Sequence, residues 1–261
     1  MVAPPTGAAL EGLVRLPWQT HVLSLAVVLA VCVAVFVLWR AAARYRHAVA
    51  VRSALAKNKE AWAKLDTQLV WVVGCSGAGK STTAEMLSTC LGSAFHDLDD
   101  LFWLPNWVRR SGSEVKALLR PLLAAGPVVL AGNYAPQMGK FMAAKATTVV
   151  WVRPSLALIM WQLVTRSLVR LLLRQKSCAG NQESVRQLFF SKESVIYKTY
   201  RAYERVEARY TELAKNPPPR LEGGVVQLRS RAEADAFHAF LSQQREGAGC
   251  RSRRAKLATM V

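Results

Sequence analysis

The stretch that decides the fold is "LVWVVGCSGAGKST", residues 69–82. Its first five residues form an unbroken apolar run rich in valine, the composition of a parallel strand buried on both faces. The next eight residues fit G-x-x-x-x-G-K-[ST] through Gly74, Gly79, Lys80 and Ser81, with Gly77 inside the loop. A loop of this kind turns successive backbone N–H groups inward around a diphosphate, and the helix after it points its positive end at the same place. The lysine reaches the outer phosphates and the hydroxyl ligates magnesium. Gly74, Cys75, Ser76, Gly77, Ala78, Gly79, Lys80, Ser81 and Thr82 are therefore the expected nucleotide-binding residues, with ATP and Mg2+ as the ligands. Cys75 sits where a helix dipole and nearby cations could lower a thiol pKa, which raises redox control as a minor reading beside the favoured one of an inert small side chain.

Downstream, apolar runs alternate with helical spacing. "SAFHDLDDLFW" predicts a second strand ending in carboxylates, "PVVLAGNY" a third, "ATTVVWVRP" a fourth and "GGVVQLRS" a fifth. Helices are expected over 80–91, over "SEVKALLRPLLAA", from about 155 to 175, from the polar break "KSCAGNQES" to about 215, and over "RAEADAFHAFLSQQ". Strands alternating with helices imply a five-stranded parallel sheet with helices on both faces, and the glycine-rich loop after its first strand makes the expected fold that of the P-loop nucleoside-triphosphate hydrolases, its nucleotide or small-molecule kinase type being what the resemblance described below implies.

Upstream lies a different chemistry. Residues 22–39 are eighteen residues without a charge, bracketed by Trp18 and Trp39. As a helix they rise about 27 Å, close to the hydrocarbon thickness of a bilayer, and indoles favour its two interfaces. A cleaved signal peptide fits less well, because the run exceeds the usual stretch of about 7–15 residues and has no basic lead. Residues 40–67 hold seven basic residues against two acidic ones. The positive-inside bias thus predicts a single-pass membrane protein whose large domain lies on the cytosolic or an organellar matrix side.

The expected organisation is an N-terminal segment (1–21), a transmembrane helix (22–39), a basic helical stalk (40–67), a P-loop domain (68–243) and a basic tail (244–261). The net charge of +18 suits anionic lipid, nucleotides or nucleic acid, and charge alone does not choose among them. No helix-turn-helix or aromatic–basic surface supports nucleic acid. Five scattered cysteines without a C-x-x-C pair argue against a disulfide framework or a zinc site. Nothing in the sequence bears on oligomeric state.

The acceptor side is expected around "HDLDDLFWLPNW". Asp97 and Asp99, two apart in a strand, would share a face, and either can hold magnesium or orient an acceptor hydroxyl. Arg166, Arg170 and Arg174 recur every fourth residue, predicting a cationic stripe that clamps a transferred phosphoryl group, opposite an apolar face of Met160, Trp161, Val164, Leu168 and Leu171. Arg109 and Arg110 are candidates for holding an anionic acceptor.

Taken together, "GCSGAGKST", "HDLDDLFWLPNW", "AGNY", "TTVVWV" and "LRSRAEADAFHAFL" make residues 69–241 resemble the small P-loop kinases related to adenylate kinase and, within them, the bacterial DNA topology modulation proteins. The resemblance implies an ATP-binding kinase domain with Asp99, Gly132, Asn133 and Tyr134 on the acceptor side and the Arg166 helix as lid. Two departures stand out. Arg153 occupies a position where related proteins often carry an acid, and no Asp closes "PVVLAGNY", so a metal carboxylate must come from Asp97 or Asp99. The function expected is a membrane-anchored kinase moving a phosphoryl group from ATP to a nucleotide or another small acceptor. Its rivals are a nucleotide-gated binding module with little catalysis and a membrane-surface protein with a vestigial site.

Overall fold

The computed structural model describes residues 17–182 and 194–258, with side chains described over 30–182 and 194–245. The first part of the expected membrane run (22–29), most of the expected basic tail, and the first turns of the helix expected after the polar break lie outside the described side chains.

The chain divides between Val49 and Ala50 into two compact units. One helix, α1 (Pro17–Trp62), contains the expected membrane run and most of the expected stalk. Among the described residues no helix is long and apolar enough to cross a membrane, so the structure gives the expected transmembrane helix no support. In the first unit the described side chains of α1 are almost all exposed, Phe36 stacks on Trp39, and the Arg40 guanidinium covers the Phe36 ring.

The second unit is built on five parallel strands, β1 (Leu69–Val73), β2 (Ala94–Asp97), β3 (Val128–Ala131), β4 (Thr148–Val152) and β5 (Val225–Leu228), in the order β2-β3-β1-β4-β5. All five are where the apolar runs predicted them. This is the parallel α/β sheet expected from the sequence: β1 is central, between β3 and β4, and the loop after it leads into α2 (Lys80–Leu91). Strands β1, β3 and β4 are buried along their whole length, which is why they read as continuous apolar runs rather than as alternating ones.

Helices α3 (Leu98–Phe102), α4 (Gly112–Ala124), α5 (Ala135–Ala143), α6 (Leu156–Leu172), α7 (Val195–Lys215) and α8 (Arg231–Ala258) are the other α-helices among the described residues of the unit. A capping box at Ser111 and Glu114 starts α4, and the left-handed Gly92 closes α2. Against α2, α8 is held by Arg245, which donates to the Thr89 carbonyl at 2.6 Å, and by the 3.2 Å contact of the Cys90 thiol with Ser242. The α8 backbone continues through much of the expected tail.

Three expectations are corrected. β2 ends at Asp97 and the chain turns at once into α3, so Asp97 and Asp99 do not share a strand face: Asp97 caps α3 and Asp99 lies in its first turn. Helix α6 ends at Leu172, and Arg174 adopts φ 48°, which takes it out of the arginine stripe. The buried face of α6 is Ile159, Leu163 and Ser167, while Trp161 is 70% and Leu168 41% exposed; the helix is apolar on two faces, and the sequence pattern did not say which one the core takes.

Candidate active site

The P-loop is shaped by close approaches that exclude a side chain. A Cβ on Gly74 would stand 2.3 Å from the Val152 carbonyl oxygen, and one on Gly77 would stand 3.0 Å from both the Ile159 carbonyl oxygen and the Leu163 Cβ. Both glycines have positive φ, 144° and 81°. The loop is thereby wedged between the end of β4 and the first turns of α6, which puts α6 beside Lys80.

Lys80 folds back over the loop and donates to the Cys75 carbonyl at 3.0 Å. Burial holds its pKa below the usual lysine value; the charges of Asp99 and Asp97 oppose that shift and Arg166 adds to it. Lys80, Asp97, Asp99 and Arg166 thus act on one another, although they come from three separate parts of the chain. Ser81 and Thr82 lie exposed on the first turn of α2. The Ser81 hydroxyl donates to Asp97 Oδ2 at 2.6 Å, and Asp97 Oδ1 accepts the Asp99 backbone N–H at 2.9 Å. Burial raises the Asp97 pKa, with the neighbouring Asp99 charge adding to it.

A hydroxyl and a carboxylate meeting beside a phosphate-shaped loop form a hard-oxygen set that fits magnesium, which keeps waters and phosphates as its other ligands. No cluster of three or more His, Cys, Asp or Glu side chains suits a metal among the described residues, so Ser81 and Asp97 would hold the ion through few protein contacts.

Asp99 is fixed from the far side. Tyr134, just after β3, donates its hydroxyl to Asp99 Oδ1, and burial followed by the Asp99 charge pushes the phenol pKa up, so that it stays protonated. The Tyr134 ring stacks on Phe102 with centroids 3.7 Å apart and planes 7° from parallel. Over this pair stands the Arg109 guanidinium, 5.2 Å from each ring and 5.9 Å from Trp103. Arg109 makes no ion pair with any described residue, so its charge on the aromatic shelf is available to an anion.

The remaining expected residues take supporting places. Gly132 accepts the Trp71 indole N–H at 2.9 Å through its carbonyl, and Asn133 Oδ1 accepts the Tyr210 hydroxyl at 2.8 Å. Arg170 donates to Ser177 at the far end of α6, 3.3 Å away. Arg153, the unexpected cation after β4, pairs with Glu207 of α7, donates to Gln227 at 2.9 Å and covers the Trp151 ring. It joins β4, β5 and α7 and contributes no metal ligand. Tyr210 and Glu207 were not foreseen; the only signal for Tyr210 was its place on the buried face of α7 with Thr199 and Val206.

Cys75 fits the inert side chain rather than the redox-sensitive one. Burial pushes its thiol up to about 11, outweighing the lowering effect of Lys80. At pH 8 only about one thiol in a thousand is then ionised, and the thiolate is the reactive form. Iodoacetamide at pH 8 is expected to leave Cys75 unmodified in the folded protein and to label it fully after denaturation, as read by peptide mass spectrometry; rapid labelling of the native thiol would refute this.

No protein-family model matches the chain, and no curated protein does. Among solved structures, it is similar to a shikimate kinase from Acinetobacter baumannii in complex with shikimate, at 16% identity and a TM-score of 0.46 over 72% of this chain and 98% of that one. It is also similar to a shikimate kinase from Bacteroides thetaiotaomicron (17%, TM-score 0.40, 69% and 98%). A gluconokinase from Sinorhizobium meliloti 1021 is similar too (15%, TM-score 0.40, 72% and 99%).

Proposed function

We propose that the chain is an ATP-dependent phosphotransferase that moves the γ-phosphoryl group onto a nucleotide or another small acceptor. The observation that carries this reading is the convergence of the Ser81–Asp97 hydrogen bond, Lys80 and the Tyr134-held Asp99 at the mouth of the P-loop. Phosphoryl transfer needs positioned charge more than covalent chemistry. The P-loop amides and Lys80 hold the phosphates, Arg166 meets charge that develops during transfer, and Asp99 orients the acceptor and takes its hydroxyl proton. Arg109 attracts an anionic part of the acceptor. When bound by Ser81 and Asp97, magnesium supplies charge neutralisation of the phosphates.

Membrane attachment is the second half of the proposal, and its support is in the sequence. The uncharged run 22–39 and the basic residues after it would tether the chain with the P-loop domain on the cytosolic or matrix side. Flotation of the full chain with lipid vesicles, lost on removal of 1–39, is the expected behaviour; a full chain that stays with the soluble fraction removes the tether.

A second reading, a nucleotide-gated binding module with little turnover, draws on the missing carboxylate after β3, where Ala131 is followed by Gly132 and Asn133. One experiment decides between them. Full-length protein is given magnesium-ATP with a panel of nucleoside monophosphates and small hydroxyl compounds, and ADP formation is measured beside Lys80→Ala. Acceptor-stimulated turnover that disappears in the variant is expected. ATP binding without turnover on any acceptor would leave the binding module.

A further inference from the structure

We propose that a groove at the other end of the sheet from the P-loop binds an organic phosphate. The groove has a volume of about 690 Å³, within the usual range of small-molecule sites. It opens where strands begin: Leu69 and Val128 are the first residues of β1 and β3, and Thr147 immediately precedes β4. The P-loop leaves the opposite end of β1, whose five residues span about 17 Å, so a ligand in the groove does not reach Lys80.

Three cations surround this groove. Arg120 comes from α4, Lys145 from the turn after α5 and Arg220 from the loop before β5. No Asp or Glu lines it, and none of the three cations makes an ion pair with a described residue. Asp66, whose carboxylate accepts the Gln68 backbone N–H at 2.8 Å, does not line the groove. Like charges gathered around one concavity repel each other, and low-dielectric walls focus their field outward. An anion relieves that repulsion.

The kind of anion follows from the donors. Two guanidinium forks and an ammonium present more N–H groups than one carboxylate can accept, whereas a phosphate offers three oxygens, suited to fork and point-charge contacts alike. The Thr147 hydroxyl is already engaged with the Asp66 carbonyl at 3.1 Å, leaving the Gln68 amide as the neutral polar group on the rim. The walls are apolar, from Leu123 and Phe141, which suits a phosphate joined to a hydrocarbon or planar body rather than the bare ion. A nucleotide-like phosphate ester and a phospholipid headgroup share this chemistry.

The test uses the full chain in detergent without magnesium, titrated calorimetrically with pyrophosphate. In Lys80→Ala, which weakens the P-loop, one binding event is expected to remain. Adding Arg120→Gln, Lys145→Gln and Arg220→Gln should raise its Kd at least about tenfold, the loss expected for charge-assisted contacts. The three side chains are exposed, so the fold is retained, which an unchanged thermal midpoint verifies. No binding in Lys80→Ala, or binding indifferent to the three substitutions, overturns the proposal. Dihexanoyl phosphatidic acid in the same titration identifies the source: tighter binding than pyrophosphate assigns a lipid headgroup, and weaker binding a soluble ester, the groove being the site in both cases.

Discussion

Replacing Asp99 with Asn is expected to lower phosphoryl transfer by about 10²–10⁴-fold, the range associated with losing a positioned general base, while leaving the KM for ATP within about twofold. The asymmetry follows from geometry. ATP is held by the P-loop and Lys80, and magnesium by Ser81 and Asp97, which keep their mutual hydrogen bond when Asp99 changes. Asp99 instead faces Tyr134, whose buried phenol stays protonated and donates to it. The amide of Asn still accepts that hydrogen bond, so the shelf of Tyr134, Phe102 and Arg109 keeps its shape while the proton acceptor is gone. Acceptor-stimulated ADP formation measures the effect. If Asp99→Asn instead raised the KM for ATP and left kcat unchanged, Asp99 would belong with the nucleotide contacts. Tyr134→Phe separates position from proton transfer: it keeps the ring stack on Phe102, removes only the hydroxyl, and should cost less than Asp99→Asn.

The parts of this site that were legible in the sequence share one property: local rules determine them. The P-loop needs glycines at fixed spacing, and the strand before it must be apolar throughout, so both were readable within fourteen residues. Asp97 and Asp99 both stood out in the sequence, and the structure sets them near Lys80, but their geometry was misassigned. Two carboxylates two residues apart share a face only if the strand continues, and Asp97 instead stops it by capping α3 with its own side chain. The same residue thus ends β2 and meets Ser81, two duties that no periodicity encodes. Helix α6 failed for another reason. Leu158, Trp161, Leu168 and Leu172 make one apolar stripe and Ile159 and Leu163 a second, and only the close approach of Gly77 to Ile159 and Leu163 selects the buried one. Such a contact joins residues more than eighty positions apart, as does the Tyr210–Asn133 hydrogen bond over nearly as many. Long-range partners of this kind have no local signature.

The second large effect lies where the sequence placed only a basic stalk. Trp62→Ala is expected to destabilise the P-loop unit by about 3–5 kcal/mol, the usual cost of emptying a buried Trp site, and to lower its thermal midpoint by roughly 10 °C. Trp62 is 5% exposed, with its ring 5.0 Å from Phe237 and 5.8 Å from Phe240 of α8. Val51, Ala54 and Leu55 precede it on the same helix face and are partly buried against the same core. Their spacing, i, i+3, i+4 and i+11, is that of an amphipathic helix docked on a domain, and it was masked by the alanines and basic residues between them. The P-loop unit accordingly begins at Ala50, well before residue 68. Because α8 grips α2 through Arg245 and Ser242, and α2 carries Lys80 and Ser81 at its start, loosening Trp62 acts on the helix that presents the phosphate-binding residues. A thermal melt of Trp62→Ala beside Trp39→Ala, whose indole is 61% exposed, checks the assignment. Equal midpoints in the two variants would mean that α1 contributes nothing to the P-loop unit; a fall confined to Trp62→Ala, recovered in part by magnesium-ATP, is the expected outcome, since a ligand that binds only the folded state stabilises it in proportion to RT ln(1 + [L]/Kd).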